Sequence, residues 1–255
     1  MARTKTGIQG LDKALKGGIP EGNLVLISGG AGTGKSTLSL QFLVNGASTF
    51  GERGLYISTE QSREELHKQA VSYSWDLEDL EKKNLMKIVY YDITAGDDFL
   101  KKIDKLISEY KPKRITVDSM TTLTDALMIG GITEGSAFSL VQIAETVSPI
   151  PRTEQIMAKS ILYKLISELK KYRVTTLLTS ELYEGSDRLS ADGISEFITD
   201  GVIVMHYLGI GGGDYRTIQI RKMRYTDHEK QIMPMEITNK GIDIKPEEAI
   251  STGLK

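Results

Sequence analysis

Short runs of apolar and β-branched residues recur along the chain, with amphipathic stretches between them. The runs lie at Leu24 to Ser28, Gly54 to Thr59, Met86 to Tyr91, Arg114 to Asp118 and Val174 to Ser180. Each has the length and composition of a strand buried on both faces. Between them, Ser36 to Val44, Arg63 to Ser74, Asp97 to Tyr110 and Thr153 to Tyr172 carry apolar residues at helical spacing. This alternation predicts an α/β fold: a mostly parallel central sheet flanked by helices on both faces. After Asp200 the pattern changes to consecutive strands, Gly201 to Leu208, Tyr215 to Met223 and Gln231 to Ile237, with turn residues Gly209 to Asp214 between the first two. They are expected to extend the sheet with antiparallel strands over about residues 201–244. Met128 to Arg152 breaks the pattern, because Gly130, Gly131, Gly135, Pro149 and Pro151 interrupt it and only Ser136 to Val147 has helical spacing. An interruption of that length demands a separate explanation.

Composition narrows the picture. A chain of 255 residues with no linker-like tract is expected to form a single domain over 1–255. Its 32 basic and 34 acidic residues leave a net charge of −2, so no global field draws polyanions. The absence of cysteine removes disulfides, thiolate metal sites and a cysteine nucleophile from consideration. His67, His206 and His228 are scattered without zinc spacing. No stretch approaches the length of an apolar membrane span, and the polar segment Met1 to Gln9 has no apolar core, so no membrane insertion is expected and the expected location is cytoplasmic.

The most specific chemistry follows the first long apolar run. Gly29, Gly30, Ala31, Gly32, Thr33, Gly34, Lys35 and Ser36 fit the phosphate-binding pattern G-x-x-x-x-G-K-[ST], between a strand and a helix. Glycines let backbone N–H groups curl around phosphate oxygens, and a helix N-terminus adds partial positive charge. Lys35 is expected to reach the β- and γ-phosphates of ATP. The Ser36 hydroxyl suits the shell of a Mg²⁺ ion, and Thr37 repeats that hydroxyl one step round the helix.

A triphosphatase also needs an acidic residue near the metal, a group that orients or deprotonates water, and positive charge at the transition state. Asp118 ends a strand where open parallel sheets bind ligands, and is the candidate for the Mg²⁺ shell. Glu60 ends another strand on the same rim and is placed to act on water. The plainer reading of Glu60 and Ser62 is that they start the next helix, where acids and hydroxyls are favoured. Ser180, with Thr179 and Glu181, forms a third polar strand end, suited to sensing the γ-phosphate or simply to meeting solvent.

These residues, with Thr6 to Asp12 ahead of the loop, Tyr56 to Glu60, Val117 to Ser119, Ile198 to Asp200, and Lys222, Met223 and Arg224 followed by His228, occur in an order that resembles the KaiC-like branch of the RecA superfamily. The resemblance runs from about Thr6 to about Ile244 and is strongest to the single-domain KaiC-like ATPases of archaea. It implies an ATPase that acts as a ring of identical subunits, commonly a hexamer, with each nucleotide at a subunit boundary. Lys222 and Arg224 would then reach ATP on a neighbouring subunit, with Thr226 and His228 close by. The family's acidic pair after the second strand is here Glu60 and Gln61. Gln61 can hydrogen-bond but cannot take a proton, so slow turnover is implied. Arg216, Ser72 and Asn239 fall where the family holds base and ribose. The positions matching the clock protein's autophosphorylated hydroxyls are Glu196 and Phe197, neither an acceptor, so that activity is not expected.

Two other functions share these motifs: a RadA-type recombinase paralogue that binds single-stranded DNA, and a nucleotide-gated adaptor for a protein partner, such as the archaeal motility motor. The loops a DNA binder would use, Met128 to Arg152 and Glu184 to Glu196, carry too few cations for a basic groove. DNA binding is therefore the less favoured reading.

Overall fold

The computed structural model describes residues 1–92, 99–124, 152–183, 188–210 and 213–249. Eleven strands occur among them: β1 Arg3–Thr4, β2 Ile19–Pro20, β3 Leu24–Gly29, β4 Gly54–Ser58, β5 Met86–Tyr90, β6 Arg114–Asp118, β7 Thr175–Glu181, β8 Gly201–Ile210, β9 Gly213–Met223, β10 Met233–Thr238 and β11 Gly241–Ile244. The helices are α1 Leu11–Ala14, α2 Lys35–Phe50, α3 Arg63–Ser72, α4 Leu77–Lys82, α5 Phe99–Tyr110, α6 Arg152–Lys171 and α7 Ser195–Ile198, and residues 120–124 are also helical.

Nine strands form one sheet in the order β11-β10-β9-β8-β3-β7-β6-β4-β5. The six from β8 to β5 run parallel, and β9, β10 and β11 continue the sheet antiparallel beyond β8. The expected α/β class and antiparallel extension therefore hold. Period-2 alternation sends Val25, Ile27, Tyr56, Leu177, Ile203 and Met205 to one face, in a core with Leu38, Phe42 and Leu43 of α2. Leu24, Leu26, Leu55, Ile57, Ile115, Val117 and Leu178 go to the other face, against Ile103 and Ile107 of α5 and Leu162, Leu165 and Leu169 of α6. Both faces are covered, which is why these strands read as nearly continuous apolar runs.

Several boundaries differ from the periodicity. Helix α2 continues past Val44 to Phe50 and stops at Gly51, whose φ of 65° is left-handed. Helix α3 ends two residues early, at Ser72, and Ser74 turns left-handed with φ 59°. The pattern gives no sign of α4, a single turn and a half started by the Asp76 side chain, which accepts from the Asp79 N–H at 2.9 Å. It also gives no sign of the two-residue pair β1-β2 or of β11, which pairs with β10 across the turn Asn239-Lys240. Such short elements carry too few residues for a detectable period and are held by tertiary pairing. The helix expected over Ser136 to Val147, the start of the Asp97 helix, and part of the Gly209 to Asp214 turn and of the Glu184 to Glu196 loop lie outside the described residues.

Candidate functional site

Strand β3 lies between β8 and β7, and the chain leaves it through α2 to reach β4, three positions further across the sheet, beyond β7 and β6. The residues after β3 therefore open at the carboxyl edge, where a crossover leaves room for a ligand. The turn into α2 is built from glycines with geometric reasons. Gly34 has φ 104° and Gly32 φ 71°, conformations that side chains rarely adopt. A Cβ on Gly29 would meet the Met205 carbonyl oxygen at 2.5 Å. Helix α3 begins with a reciprocal capping box between Ser62 and Glu65, whereas α2 begins with no side-chain cap and no acid in its first turn. The first amides of a 16-residue helix are thus left for an anion.

The Lys35 ammonium folds back over this loop and donates to the carbonyls of Gly29 and Gly30 at 3.0 and 2.9 Å. Burial lowers its pKa, opposed in turn by the negative charges of Glu181, Asp118 and Glu60. Those three carboxylates come from the carboxyl ends of β7 and β6 and the turn after β4, on the same edge of the sheet as the loop. Thr33 closes the loop by donating to the Gly30 carbonyl at 2.9 Å, and Arg216 of β9 donates to the Gly32 carbonyl at 3.3 Å. Ala31 sits exposed at the loop tip. Thr37 is buried, and its Oγ1 accepts from Gln69 Nε2 at 3.1 Å, away from the loop.

Asp118 is 3 % exposed, and both carboxylate oxygens are engaged. Tyr56 Oη donates to Oδ2 at 2.5 Å, and Thr179 Oγ1 donates to Oδ1. Burial, then the Asp118 charge, pushes the Tyr56 hydroxyl well above its ordinary pKa, so it remains a donor; Ser36 acts on the same hydroxyl. Glu60 is exposed, and its Oε1 accepts from Ser119 Oγ and, at 2.8 Å, from Thr122 Oγ1. Beside it, the Gln61 backbone N–H donates to Ser58 Oγ at 3.0 Å, while Gln61 Oε1 is buried with no partner among the described residues. A buried acceptor left open at this edge suits a bound water or ligand.

Ser180 is not brought to this cluster. It alternates to the opposite face from Thr179, is fully buried, and accepts from the Ala191 N–H at 3.1 Å. With Ser28 Oγ donating to the Leu189 carbonyl, it pins residues 189–191 to the sheet.

Lys222, Arg224, Thr226 and His228 lie at the far end of the strands. Gly201 is level with Val25 and Met205 with Gly29, while Lys222 pairs with Val202 and Arg216 with Tyr207. At about 3.3 Å per residue, Lys222 lies about 10 Å and Arg224 about 16 Å from the glycine loop along the strand. Lys222 Nζ donates to the carbonyls of Glu196, Phe197 and Thr199 at the end of α7, at 2.9, 3.3 and 2.6 Å. Arg224 donates to Asp200 Oδ1 at 2.9 Å, which Lys170 also reaches at 3.0 Å. Thr226 Oγ1 accepts from Arg3 at 3.0 Å, and His228 Nδ1 lies 2.8 Å from the Glu229 carbonyl. Within one chain, these residues do not meet Lys35. Of the two remaining ribose and base candidates, Ser72 donates to the Gln69 carbonyl at 2.6 Å at the end of α3, and Asn239 is in the β10-β11 turn.

The structure brings two side chains to Asp118: Thr179, read in the sequence only as part of the polar strand end around Ser180, and Tyr56, to which sequence reasoning gave no role of its own. A faint signal existed: a tyrosine in a fully buried strand needs a destination for its hydroxyl. The destination, however, depends on strand order.

A family profile described as the KaiC ATPase matches residues 4–142 and 140–249. The circadian clock oscillator protein KaiC of a Nostoc species is 33% identical over 254 residues, covering 96% of this chain and 44% of that protein. The chain thus spans under half the length of such clock proteins. A UPF0273 protein of Pyrococcus furiosus is 30% identical over 268 residues, covering 98% of this chain and 97% of the relative. The crystal structure of a KaiC-like protein from Pyrococcus horikoshii OT3 superposes with a TM-score of 0.77 at 33% identity, covering 96% of this chain and 99% of that one.

Proposed function

This chain belongs to the KaiC family of ATPases, and from that premise we propose that it is a Mg²⁺-dependent, slow ATPase whose nucleotide sits on the glycine loop at a boundary between identical subunits. The observation that carries the reading is the Lys35 ammonium held on the glycine-loop carbonyls over the uncapped start of α2. On binding, the loop amides and Lys35 would take the phosphate oxygens, replacing the carbonyl contacts that Lys35 makes now. Ser36 and Asp118 offer hard oxygen donors, which fit Mg²⁺. Among the described residues no group of three or more His, Cys, Asp or Glu could hold an ion alone, so phosphate oxygens and water would supply the remaining positions. The ion would supply charge neutralisation at the phosphates. Glu60 would accept the proton of the attacking water, held in place by Ser119 and Thr122. The open Gln61 Oε1 would help orient that water without taking its proton.

Lys222 and Arg224 would complete the site of the next subunit in a ring, commonly a hexamer. Their place at the far end of the strands supports action in trans, because neither can serve its own loop. Arg216, beside the loop, would contact nucleotide of its own subunit. A single domain and a cytoplasmic location accompany this reading. Among the described residues no helix is long and apolar enough to cross a membrane.

Titration with a fluorescent ATP analogue tests the proposal. Lys35→Ala should weaken binding about 100-fold or more, the cost of removing one partner of a desolvated charge pair. Unchanged affinity would remove the nucleotide from this loop.

A further inference from the structure

The Asp118 carboxylate is held more firmly than a metal-shell acid at a strand end requires. In the β6–β7 register Val117 stands opposite Leu178, so the next pair, Asp118 and Thr179, stands side by side on the α2 face. Tyr56 lies on the same face of β4, two residues before Ser58, which pairs with Asp118. Its phenol therefore runs along the strand to meet the carboxylate from below. The two hydroxyls occupy different oxygens, Tyr56 on Oδ2 and Thr179 on Oδ1, which stops the carboxylate turning about its own bond. A carboxylate oxygen accepts more than one hydrogen bond, so each still has acceptor capacity for a ligand. The phenol that holds Oδ2 is itself fully buried on the α2 side of the sheet.

We propose that Tyr56 and Thr179 are positioning residues for the metal-dependent step: their hydroxyls clamp the Asp118 carboxylate so that it meets the cation in one orientation. The inference rests on the nucleotide reading of the site above. Neither residue touches nucleotide; each acts through Asp118. Groups in the second layer around a metal commonly change its affinity 10- to 100-fold when removed, because the ligand must then be ordered at the moment of binding.

The test is equilibrium binding of a fluorescent ATP analogue, first in EDTA and then across a Mg²⁺ titration, with thermal melts to establish folding. Tyr56→Phe keeps the ring that fills the core, and Thr179→Val keeps the side chain's shape without its hydroxyl; should one not fold, the other carries the same measurement. Both should bind in EDTA as the parent protein does, yet require about 10-fold more Mg²⁺ for half of the metal-dependent gain in affinity. In combination with Asp118→Asn, neither should add a further shift, since the carboxylate they orient is gone. A Mg²⁺ requirement equal to that of the parent in a folded variant, or full additivity with Asp118→Asn, overturns the clamp while leaving nucleotide binding intact. A parent protein that binds no analogue in either condition overturns the nucleotide reading itself, and the clamp with it.

Discussion

Glu60 shows how the surroundings of a single residue separate two readings that its sequence position leaves level. It was equally readable as the start of a helix or as a group acting on water, and the structure gives the helix start to Ser62 and Glu65 instead. Glu60 is left exposed at the loop edge, with both recorded hydrogen bonds on Oε1, from Ser119 and Thr122. Glu60→Gln should therefore retain nucleotide binding and lose about 10²- to 10⁴-fold in steady-state turnover, the usual span for a positioned general base. A variant with parental turnover would move that role to another group, with Glu181, exposed at the end of β7 on the same edge, the next candidate. The sequence could name Glu60 because strand ends and loops are local features. It could not say which of its neighbours would hold it, because Ser119 lies 59 residues away.

At the scale of elements, α2 carries the glycine loop at one end and is gripped at the other. Arg114, at the start of β6, is fully buried against it. Its Nε donates to Glu52 Oε2 at 2.6 Å, its Nη1 to the Phe42 carbonyl at 3.0 Å, and its guanidinium stands 4.7 Å from the Phe42 ring. Gly46 makes this possible, since a Cβ there would fall 2.4 Å from Arg114 Nε. Gly46→Ala gains up to about 1 kcal/mol of helix propensity, but overpacks the core and disturbs a buried charge. The second effect is larger, so chemical denaturation should show a net loss of about 2 kcal/mol or more. A stabilised variant would mean that Arg114 moves aside freely. Helical spacing alone placed the start of α2 within a residue of its position, yet stopped at Val44. The remaining turns contain Asn45, Gly46, Ser48 and Thr49, poor helix formers that persist because Arg114 and the core hold them.

Across the whole molecule, the two halves of the proposed chemistry sit at opposite ends of the sheet. Lys35 and its acids lie at the carboxyl edge of β3, and Lys222 with Arg224 at the other, each already held by groups of its own chain. A ring would bring one subunit's far edge to the next subunit's loop. Arg224→Ala should slow hydrolysis by about 10³-fold, the scale of a cationic finger. Mixing that protein with Lys35→Ala should restore activity above either alone, since some boundaries would then pair an intact loop with an intact arginine. Equal inactivity of the mixture, with mixed rings demonstrated by mass spectrometry, would refute catalysis in trans.

The amino-acid sequence by itself determined the strands of the sheet other than β11, the glycine loop and the antiparallel character of the C-terminal region, because each is written in residue type and spacing over a few neighbouring positions. Family resemblance, carried by several such local motifs in order, was legible for the same reason. Only the tertiary structure decided that β7 and β4 flank β6, which brings Thr179 and Tyr56 from 61 and 62 residues away onto the two oxygens of Asp118. It also decided that Ser180 turns inward and that Lys222 and Arg224 face away from their own loop. Strand order and sidedness follow from how whole elements pack against one another, and no local pattern along the chain encodes them.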